Sequence, residues 1–226
     1  MTIFFDFDST LVSKESLDEV LALALQDTVD AHAALEAIAA ITNAGMEGSL
    51  AFTESVKKRL AVATVQRHHF QNVGTQLTNH LTPGIRPLIR TLQDRLHTVY
   101  IISGGFRETI LPTAASLHIA PTQIFCNQCI FDDTDTVCGI DESLPTFTDD
   151  GKTPVIEHIA ATQAPRRPYV LIGDGANDLA AHHNGSVEYF CGFTQHVTRS
   201  VILDQAPVHV PNVAALSDFL FSIEAV

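Results

Sequence analysis

Three short apolar segments constrain the fold of this chain more than any other feature. They span residues 3–7, 98–102 and 169–172, and each is rich in β-branched or aromatic side chains. Runs this short and this apolar are typical of strands that are buried on both faces of a sheet. Segments with helical spacing of apolar residues separate them. This alternation predicts an α/β fold with a parallel sheet.

Weaker strand candidates and several helices complete the predicted core. The strand candidates are residues 124–126, 187–191 and 208–210. Thr82 and Pro83 are residue types favoured as the N-cap and the first residue of a helix, which we expect to run to about Leu96. The remaining expected elements are a β-hairpin over residues 129–139, a helix after residue 105 and a helix over residues 154–162.

Residues 13–77 interrupt this alternation. Apolar residues there recur at helical spacing, without the pattern of a strand. About sixty residues of helix are too many for one crossover between neighbouring strands. A length of 226 residues corresponds to one domain, or to one domain carrying an insertion. We therefore expect a Rossmann-like parallel-sheet core (1–13 and 78–226) with an inserted small α-helical cap domain (14–77).

Each of the three strongest strands ends in residues that can do chemistry. Asp6 and Asp8 follow the first strand, Ser103 and two glycines follow the second, and Asp174 follows the third. In an open parallel sheet the active crevice lies beyond the carboxyl ends of the strands, so these residues are expected to meet. Residues i and i+2 point to the same side, which lets Asp6 and Asp8 face one site. The alternative is that one of them caps the following helix.

The residue types in these loops indicate a metal and an anion. Converging carboxylates repel one another unless a cation or a shared proton stabilises them, and their hard oxygens suit Mg²⁺. Ser103, Gly104 and Gly105 offer a hydroxyl and backbone N–H groups at a helix start, which is typical of an anion site. An ordinary strand-to-helix turn has the same sequence. Lys152 matters only if it joins these residues, because a single lysine is normally solvent-exposed.

Together these motifs resemble, in order, the four motifs of the haloacid-dehalogenase-like (HAD) phosphatases. The matching segments are DFDST from Asp6, SGGF from Ser103, Lys152, and GDGAND from Gly173. The resemblance is closest to the phosphoserine phosphatases of that superfamily. GMEGSLAF at 45–52, followed by KKR at 57–59, is similar to their cap-domain signature. Glu15 lies where their substrate-binding glutamate is expected.

The resemblance implies a Mg²⁺-dependent phosphomonoester hydrolase that converts O-phospho-L-serine to L-serine and phosphate. Asp6 would be the nucleophile that becomes an aspartyl phosphate, which divides the hydrolysis into two easier steps. Asp8 would protonate the leaving serine oxygen and then deprotonate the attacking water. Lys152 would be the third catalytic residue, because its ammonium holds the phosphoryl oxygens as charge develops.

The resemblance also implies the metal ligands and the substrate-binding residues. The metal ligands would be Asp6, Asp8 through its backbone carbonyl, and Asp174, with Asp178 supporting them. The substrate-binding residues would be Glu15, Met46, Phe52, Arg59, Ser103, Gly104, Lys152 and Asn177. Arg59 shares a helix face with Phe52 and can grip a carboxylate, while Glu15 can pair with an ammonium. This pair favours a zwitterionic amino acid. Met46 and Phe52 would close the site, or belong to the core of the cap.

Other functions fit parts of the sequence. A phosphotransferase to an amino-acid alcohol such as homoserine, or a phosphatase for another small phosphomonoester, would use the same motifs. A non-enzymatic binding protein would lack at least one of the four charged motif residues, and all four are present. A zinc or redox site at Cys126 and Cys129 is disfavoured, because no second ligand pair completes a zinc site. Two buried thiols are expected instead.

Charge excludes several partners. The 13 Lys and Arg residues face 26 Asp and Glu residues, and the net charge of −13 argues against nucleic acid and against an anionic membrane surface. No signal peptide or membrane span is recognisable, so we expect a cytoplasmic location. The histidine pairs at 68–69 and 182–183 are expected at or near the surface rather than on a metal. The expected partner is a small phosphorylated amino acid, and no sequence feature specifies an oligomeric state.

Overall fold

The computed structural model describes residues 1–149 and 152–224, which form eight strands, ten α-helices and one 3₁₀ helix (Pro121–Gln123). The strands are β1 (Thr2–Phe5), β2 (Thr98–Phe106), β3 (Ile124–Asn127), β4 (Cys129–Phe131), β5 (Val137–Ile140), β6 (Tyr169–Gly173), β7 (Tyr189–Phe193) and β8 (His209–Val210). The helices are α1 (Ser16–Leu25), α2 (Ala31–Met46), α3 (Phe52–Leu60), α4 (Arg67–Leu77), α5 (Ile85–Asp94), α6 (Arg107–Ser116), α7 (Thr153–Gln163), α8 (Ala176–His183), α9 (Ser200–Gln205) and α10 (Val213–Glu224).

Six strands form one parallel sheet in the order β3-β2-β1-β6-β7-β8, which confirms the predicted α/β fold. Side chains alternate between its two faces. Phe4, Tyr100 and Leu171 lie side by side in register and pack with apolar residues of α7 and α8. Ile3 and Phe5 belong to the larger core on the opposite face. Since helices cover both faces, residues on both faces of the central strands are apolar, as at Ile3–Phe5 of β1 and Val170–Ile172 of β6.

Four helices, α1 to α4, lie between β1 and the return to the sheet through α5. This helical segment contacts the core directly, because α4 packs against α6. A Cβ atom added at Gly74 of α4 would lie 2.4 Å from the carbonyl oxygen of Glu108, so only glycine permits this approach. The helical content of this segment confirms the sequence expectation. Its division from the core at residues 14 and 77 stays a prediction.

Two local predictions were wrong. Helix α5 begins at Ile85 rather than at Pro83, because Gly84 is in the left-handed region at φ 88°. The hydroxyl of Thr82 does not cap the helix, since it donates to the carbonyl of Thr10 at 2.6 Å. The segment 103–105 is not a separate turn either. It continues β2 as far as Phe106, with an irregular register against β3.

The predicted hairpin is present as β4 and β5, which pair in antiparallel fashion. Its turn is closed by Asp132, whose carboxylate accepts from the backbone N–H groups of Thr134 and Thr136. Cys126 is buried and Cys129 is half-buried, and burial raises the pKa of the Cys126 thiol to about 12. Among residues 1–149 and 152–224, no helix is long and apolar enough to cross a membrane.

Candidate active site

The carboxyl ends of β1, β2 and β6 bring the chemically interesting loops together. These strands are neighbours in the sheet, and the Asp6 N–H donates to the Ile172 carbonyl at 2.9 Å. Asp6 therefore follows β1 beside the end of β6, where Asp174 follows. Lys152 reaches the same place from the residue that precedes α7. The sheet order thus explains why residues far apart in the chain share one site.

One cavity of about 60 Å³ collects most of the predicted site residues. Those that line it are Asp6, Asp8, Glu15, Met46, Phe52, Arg59, Ser103, Gly104, Lys152, Asn177 and Asp178. Asp174 is not among them and is only 1% exposed, so it lies behind the cavity wall. A water molecule needs roughly 10–15 Å³ of such space, so the cavity accommodates a few waters or one small molecule.

Lys152 lies between two carboxylates. Its Nζ is 2.5 Å from Asp6 Oδ1 and 2.6 Å from Asp178 Oδ1, and all three side chains are buried. Burial raises the pKa of Asp6 to about 7, against the opposing effect of the Lys152 ammonium. Burial alone would lower the pKa of Lys152, but Asp178 and Asp6 together raise it. The lysine therefore remains a cation beside Asp6. Its backbone N–H is held by the Asn177 carbonyl at 3.3 Å.

Asp8 has a different environment from Asp6. Its Oδ1 accepts from the Ser16 N–H at 3.0 Å and its Oδ2 from the Ser16 hydroxyl at 2.8 Å. Neither bond brings a positive charge. Burial, followed by the negative charges of Glu15 and Asp6, raises the pKa of Asp8 well above its usual value. The carboxyl group of Asp8 therefore holds a proton more readily than a free carboxyl group and is suited to give it to a bound molecule.

Asp6, Asp174 and Asp178 form a buried cluster of carboxylates. Ligand oxygens from the three residues lie within 4.8 Å of one another. Asp174 Oδ2 accepts from Arg199 Nε at 3.0 Å, but its Oδ1 is buried and has no hydrogen-bond partner in the part of the chain described. An unpartnered buried carboxylate oxygen is costly unless a cation binds it. This donor set of hard oxygens fits a divalent cation such as Mg²⁺.

Glu15 belongs to a network with Arg199. Its Oε1 accepts from the Ser9 hydroxyl at 2.8 Å and from Arg199 Nη2 at 3.1 Å. Arg199 is 3% exposed and also binds Asp174, so one guanidinium joins Glu15 to the carboxylate cluster. Both hydrogen bonds of Glu15 use Oε1. Its Oε2 therefore has no bond from the described residues and is available to a positively charged group.

Arg59 is held at one edge of its guanidinium. Nη1 donates to Asp18 Oδ1 at 3.0 Å and to the Thr42 hydroxyl at 3.1 Å. The side chain lines the cavity, and its buried Nε has no hydrogen-bond partner among the residues described. Arg59 is thus fixed in position by α1 and α2 while part of its donor set remains unused. Such a guanidinium can bind a carboxylate.

Phe52 and Met46 close over the backbone of the core loops. A Cβ atom at Gly104 would come within 2.6 Å of the Phe52 ring, and one at Gly175 would come within 3.0 Å of the Met46 methyl group. The absence of side chains at these two glycines permits this close contact. Phe52 also packs edge-on against Phe147. The two apolar side chains therefore form part of the cavity wall, in close contact with these loops.

A protein-family model for haloacid dehalogenase-like hydrolases matches residues 3–183. The chain belongs to this family. Among similar HAD hydrolases, the phosphoserine phosphatase of Rattus norvegicus is 34% identical over 214 residues, which cover 95% of this chain and 90% of the relative. The phosphoserine phosphatase of Homo sapiens is 31% identical over the same lengths. The crystal structure of a phosphoserine phosphohydrolase-like protein from Francisella tularensis subsp. tularensis SCHU S4 has a TM-score of 0.88 at 31% identity, covering 97% of this chain and 99% of that one.

Several residues of this HAD hydrolase site were not predicted from its sequence. Beside Gly105 of the predicted anion site, the cavity lining adds Leu17, Ile102, Thr146, Val155 and Gly175. Three further residues hold predicted site residues in place by hydrogen bonds. Arg199 binds Asp174, Ser16 binds Asp8, and Asp18 binds Arg59. Only Arg199 carried a usable signal. It is one of 13 basic residues in an acidic chain, and it follows the carboxyl end of β7, on the side of the sheet where the site lies.

Proposed function

We propose that this chain hydrolyses O-phospho-L-serine to L-serine and phosphate through an aspartyl phosphate on Asp6. One observation carries the proposal. One cavity is lined by a buried carboxylate next to a lysine, by a second carboxyl group with a raised pKa, and by Glu15 and Arg59. The two carboxyl groups and the lysine suit phosphoryl transfer. Glu15 and Arg59 suit the two charges of an amino acid.

The first chemical step joins Asp6 to phosphorus. A carboxylate oxygen of Asp6 forms the new P–O bond, while the bond from phosphorus to the serine oxygen breaks. Asp8 gives its proton to that oxygen, so L-serine leaves as a neutral alcohol. Lys152, Ser103 and the Gly104 N–H hold the phosphoryl oxygens as negative charge spreads over them.

The second step regenerates the enzyme. Asp8, now a carboxylate, accepts a proton from a water molecule whose oxygen attacks the phosphorus. The bond between phosphorus and Asp6 breaks and phosphate is released. Asp8 thus begins and ends the cycle protonated, which its raised pKa favours.

We propose Mg²⁺ as the cation of the carboxylate cluster. Asp6, Asp174 and the Asp8 backbone carbonyl would bind it, with Asn177 and Asp178 supporting. The unpartnered Oδ1 of Asp174 supports this assignment. When bound there, Mg²⁺ supplies positive charge to the phosphoryl oxygens and to the crowded carboxylates.

Substrate selection is assigned to Glu15 and Arg59. Glu15 Oε2 would pair with the ammonium of phosphoserine, and the unused part of the Arg59 guanidinium would bind its carboxylate. Met46 and Phe52 would cover the bound amino acid and exclude bulk water. Arg59, Met46 and Phe52 come from residues 14–77, which we propose as the cap domain. We also propose a cytoplasmic location for the protein.

A substrate panel tests this function. We expect phosphate release in Mg²⁺ to be fastest from O-phospho-L-serine among phosphoserine, phosphothreonine, phosphotyrosine, glycerol 3-phosphate and glucose 6-phosphate, and to stop on addition of EDTA. Parallel reactions with homoserine, followed by mass spectrometry, detect transfer instead of hydrolysis. If phosphoserine is among the poorest substrates, the assignment of Glu15 and Arg59 is wrong. If phosphohomoserine is the main product, the protein is a phosphotransferase.

A further inference from the structure

Asn127, the last residue of β3, is fully buried at 0% exposure. Its Nδ2 donates to the Gly104 carbonyl at 2.9 Å, and its Oδ1 accepts from the Thr146 hydroxyl at 2.8 Å. A carbonyl can only accept, so the amide of Asn127 has one possible orientation and Thr146 must be the donor. The side chain therefore bridges two segments of the site, and both of its ends are satisfied.

The same peptide plane is held at its other end by Ser103. The Gly105 N–H donates to the Ser103 Oγ at 2.9 Å, while the Gly104 carbonyl accepts from Asn127. The peptide between Gly104 and Gly105 is consequently fixed on both sides. Because Ser103 Oγ accepts this bond, its own proton is free to be donated elsewhere. Ser103 is 2% exposed and lines the cavity, so the cavity is where that proton can go.

These bonds run in one direction, from Thr146 through Asn127 and the Gly104–Gly105 peptide to Ser103. Hydrogen bonds that point the same way polarise one another. Thr146 lies on the segment between β5 and α7, and Lys152 directly precedes α7. Asn127 therefore ties the loop that contributes Lys152 to the strand that contributes Ser103. Lys152 and Ser103 both line the cavity in which the phosphoryl group would be bound.

We propose that Asn127 and Thr146 are positioning residues, which act through the Gly104–Gly105 peptide to orient the Ser103 hydroxyl toward a phosphoryl oxygen. This inference rests on the proposed function, because it assigns a role in holding the group that is transferred. Neither side chain needs to touch the substrate. Their effect passes through Ser103.

Thr146→Val tests the proposal with the smallest change, since it removes the hydroxyl and keeps the shape. We expect kcat with O-phospho-L-serine to fall about tenfold, less than the 10²–10³-fold typical of losing a direct donor to the reacting oxyanion. Thr146→Ser restores the hydroxyl and is expected to restore kcat. The matched control is Thr109→Val. Thr109 is also buried and its hydroxyl donates to the Phe106 carbonyl at 2.7 Å, but it does not line the cavity.

A double-mutant cycle distinguishes positioning from a loss of stability. In a Ser103→Ala background, Thr146→Val is expected to have little further effect on kcat, because the hydroxyl through which it acts is gone. Thermal unfolding of every variant records stability separately. If Thr146→Val keeps the wild-type kcat, or if its loss is matched by Thr109→Val or is unchanged in the Ser103→Ala background, the proposal is overturned.

Binding of inorganic phosphate separates this proposal from the proposed function. Titration calorimetry with Mg²⁺ present is expected to show weaker phosphate binding by Thr146→Val and Asn127→Asp than by the wild type or by Thr109→Val. Thr146→Ser is expected to bind as the wild type does. If the wild type does not hydrolyse phosphoserine, the proposed function fails while this difference in phosphate affinity still supports the positioning role. If all variants bind phosphate equally, the positioning role is contradicted, whatever the substrate is.

Discussion

Asp6 and Asp8 are two residues apart and chemically alike, yet their surroundings give them different properties. Asp6 contacts the Lys152 ammonium, whereas the hydrogen bonds that Asp8 accepts come from the N–H and hydroxyl of Ser16. Burial raises both pKa values, and it acts on Asp8 without a neighbouring cation in contact. A carboxylate near a lysine suits a nucleophile, and a carboxyl group that keeps its proton suits a general acid. The division of labour proposed for the pair follows from these contacts.

Arg59→Lys tests the proposed grip on the substrate carboxylate. Lysine keeps the charge near Asp18 but loses the planar fork of the guanidinium. A lost charge-assisted hydrogen bond is worth about 2 kcal/mol, so we expect KM for phosphoserine to rise about thirtyfold. The effect on kcat is expected to be smaller. Steady-state kinetics check this, with Arg90→Lys as a control because Arg90 is exposed on α5. An unchanged KM would show that Arg59 does not bind the substrate carboxylate.

At the scale of elements, two helices near the site receive caps from distant parts of the chain. The Glu47 carboxylate accepts from the N–H groups of Ser200 and Val201 at the start of α9, at 3.3 and 3.4 Å. The Asp149 carboxylate accepts from the Thr53 N–H at 2.9 Å near the start of α3. Neither helix has a cap from its own N-cap side chain. Because Arg199 directly precedes Ser200, the Glu47 contact also fixes the arginine that binds Asp174 and Glu15.

Glu47→Gln and Glu47→Ala test this contact. Loss of a capping acceptor costs about 1 kcal/mol, so we expect Glu47→Ala to lower the free energy of unfolding by about that amount at pH 7. Bonding to the Ser200 hydroxyl lowers the pKa of Glu47 in the folded protein. The Glu47 carboxylate therefore contributes its full stabilisation of the fold above its unfolded pKa of about 4.3. This stabilisation is lost as the pH falls through the lower pKa that Glu47 has in the folded protein.

Denaturant unfolding at neutral and acidic pH provides the measurement. The difference between wild type and Glu47→Ala is expected to shrink in acid. Glu36→Ala is the control, because Glu36 is exposed on α2. A difference that stays constant with pH, or a control that loses as much stability, would show that the contact to α9 does not stabilise the fold.

Sequence reasoning predicted the strands and the loops that line the cavity because both depend on local patterns. Apolar runs predict β1, β2 and β6, and parallel strands place their carboxyl ends at one edge. The start of α5 was wrong because Thr82 is bonded to Thr10, which lies 72 residues earlier. The role of Asn127 could not be predicted for the same reason, and the position of Arg199 after β7 indicated its side of the sheet but not its partners. Arg199 meets a glutamate 184 residues away, and no local pattern records such a contact.

At the scale of the whole molecule, the chain has a net charge of −13, and a few of its 26 acidic residues lie together at the site. Among the described residues, the cations paired with the three buried aspartates and Glu15 are Lys152 and Arg199. Buried like charges are costly, and burial and neighbouring acids raise the pKa of Asp174 well above its usual value. A bound divalent cation would relieve this repulsion. An acidic protein can therefore bind a phosphate through a metal and a few well-placed cations.

Metal binding is therefore expected to stabilise the fold. Mg²⁺ at about 100 times its dissociation constant contributes about 2.7 kcal/mol, so the Tm in Mg²⁺ should exceed the Tm in EDTA by a saturable amount. Asp174→Asn is expected to abolish that difference. Asp133→Asn, at the exposed turn of the hairpin, is expected to retain it. A Tm that does not respond to Mg²⁺, or an equal response in both variants, would contradict the assignment of the cation to this cluster.

The most direct test of the account is phosphate release from O-phospho-L-serine by the wild type and by Asp6→Asn, with Mg²⁺ present. The variant keeps the size of the side chain but removes the carboxylate that attacks phosphorus. We expect turnover to fall by a factor on the order of 10³ or more, because the loss of a nucleophile removes the covalent route. Circular dichroism and Tm are expected to show an intact fold. Phosphoserine hydrolysis at a rate near that of the wild type by a folded Asp6→Asn variant would contradict the aspartyl-phosphate mechanism.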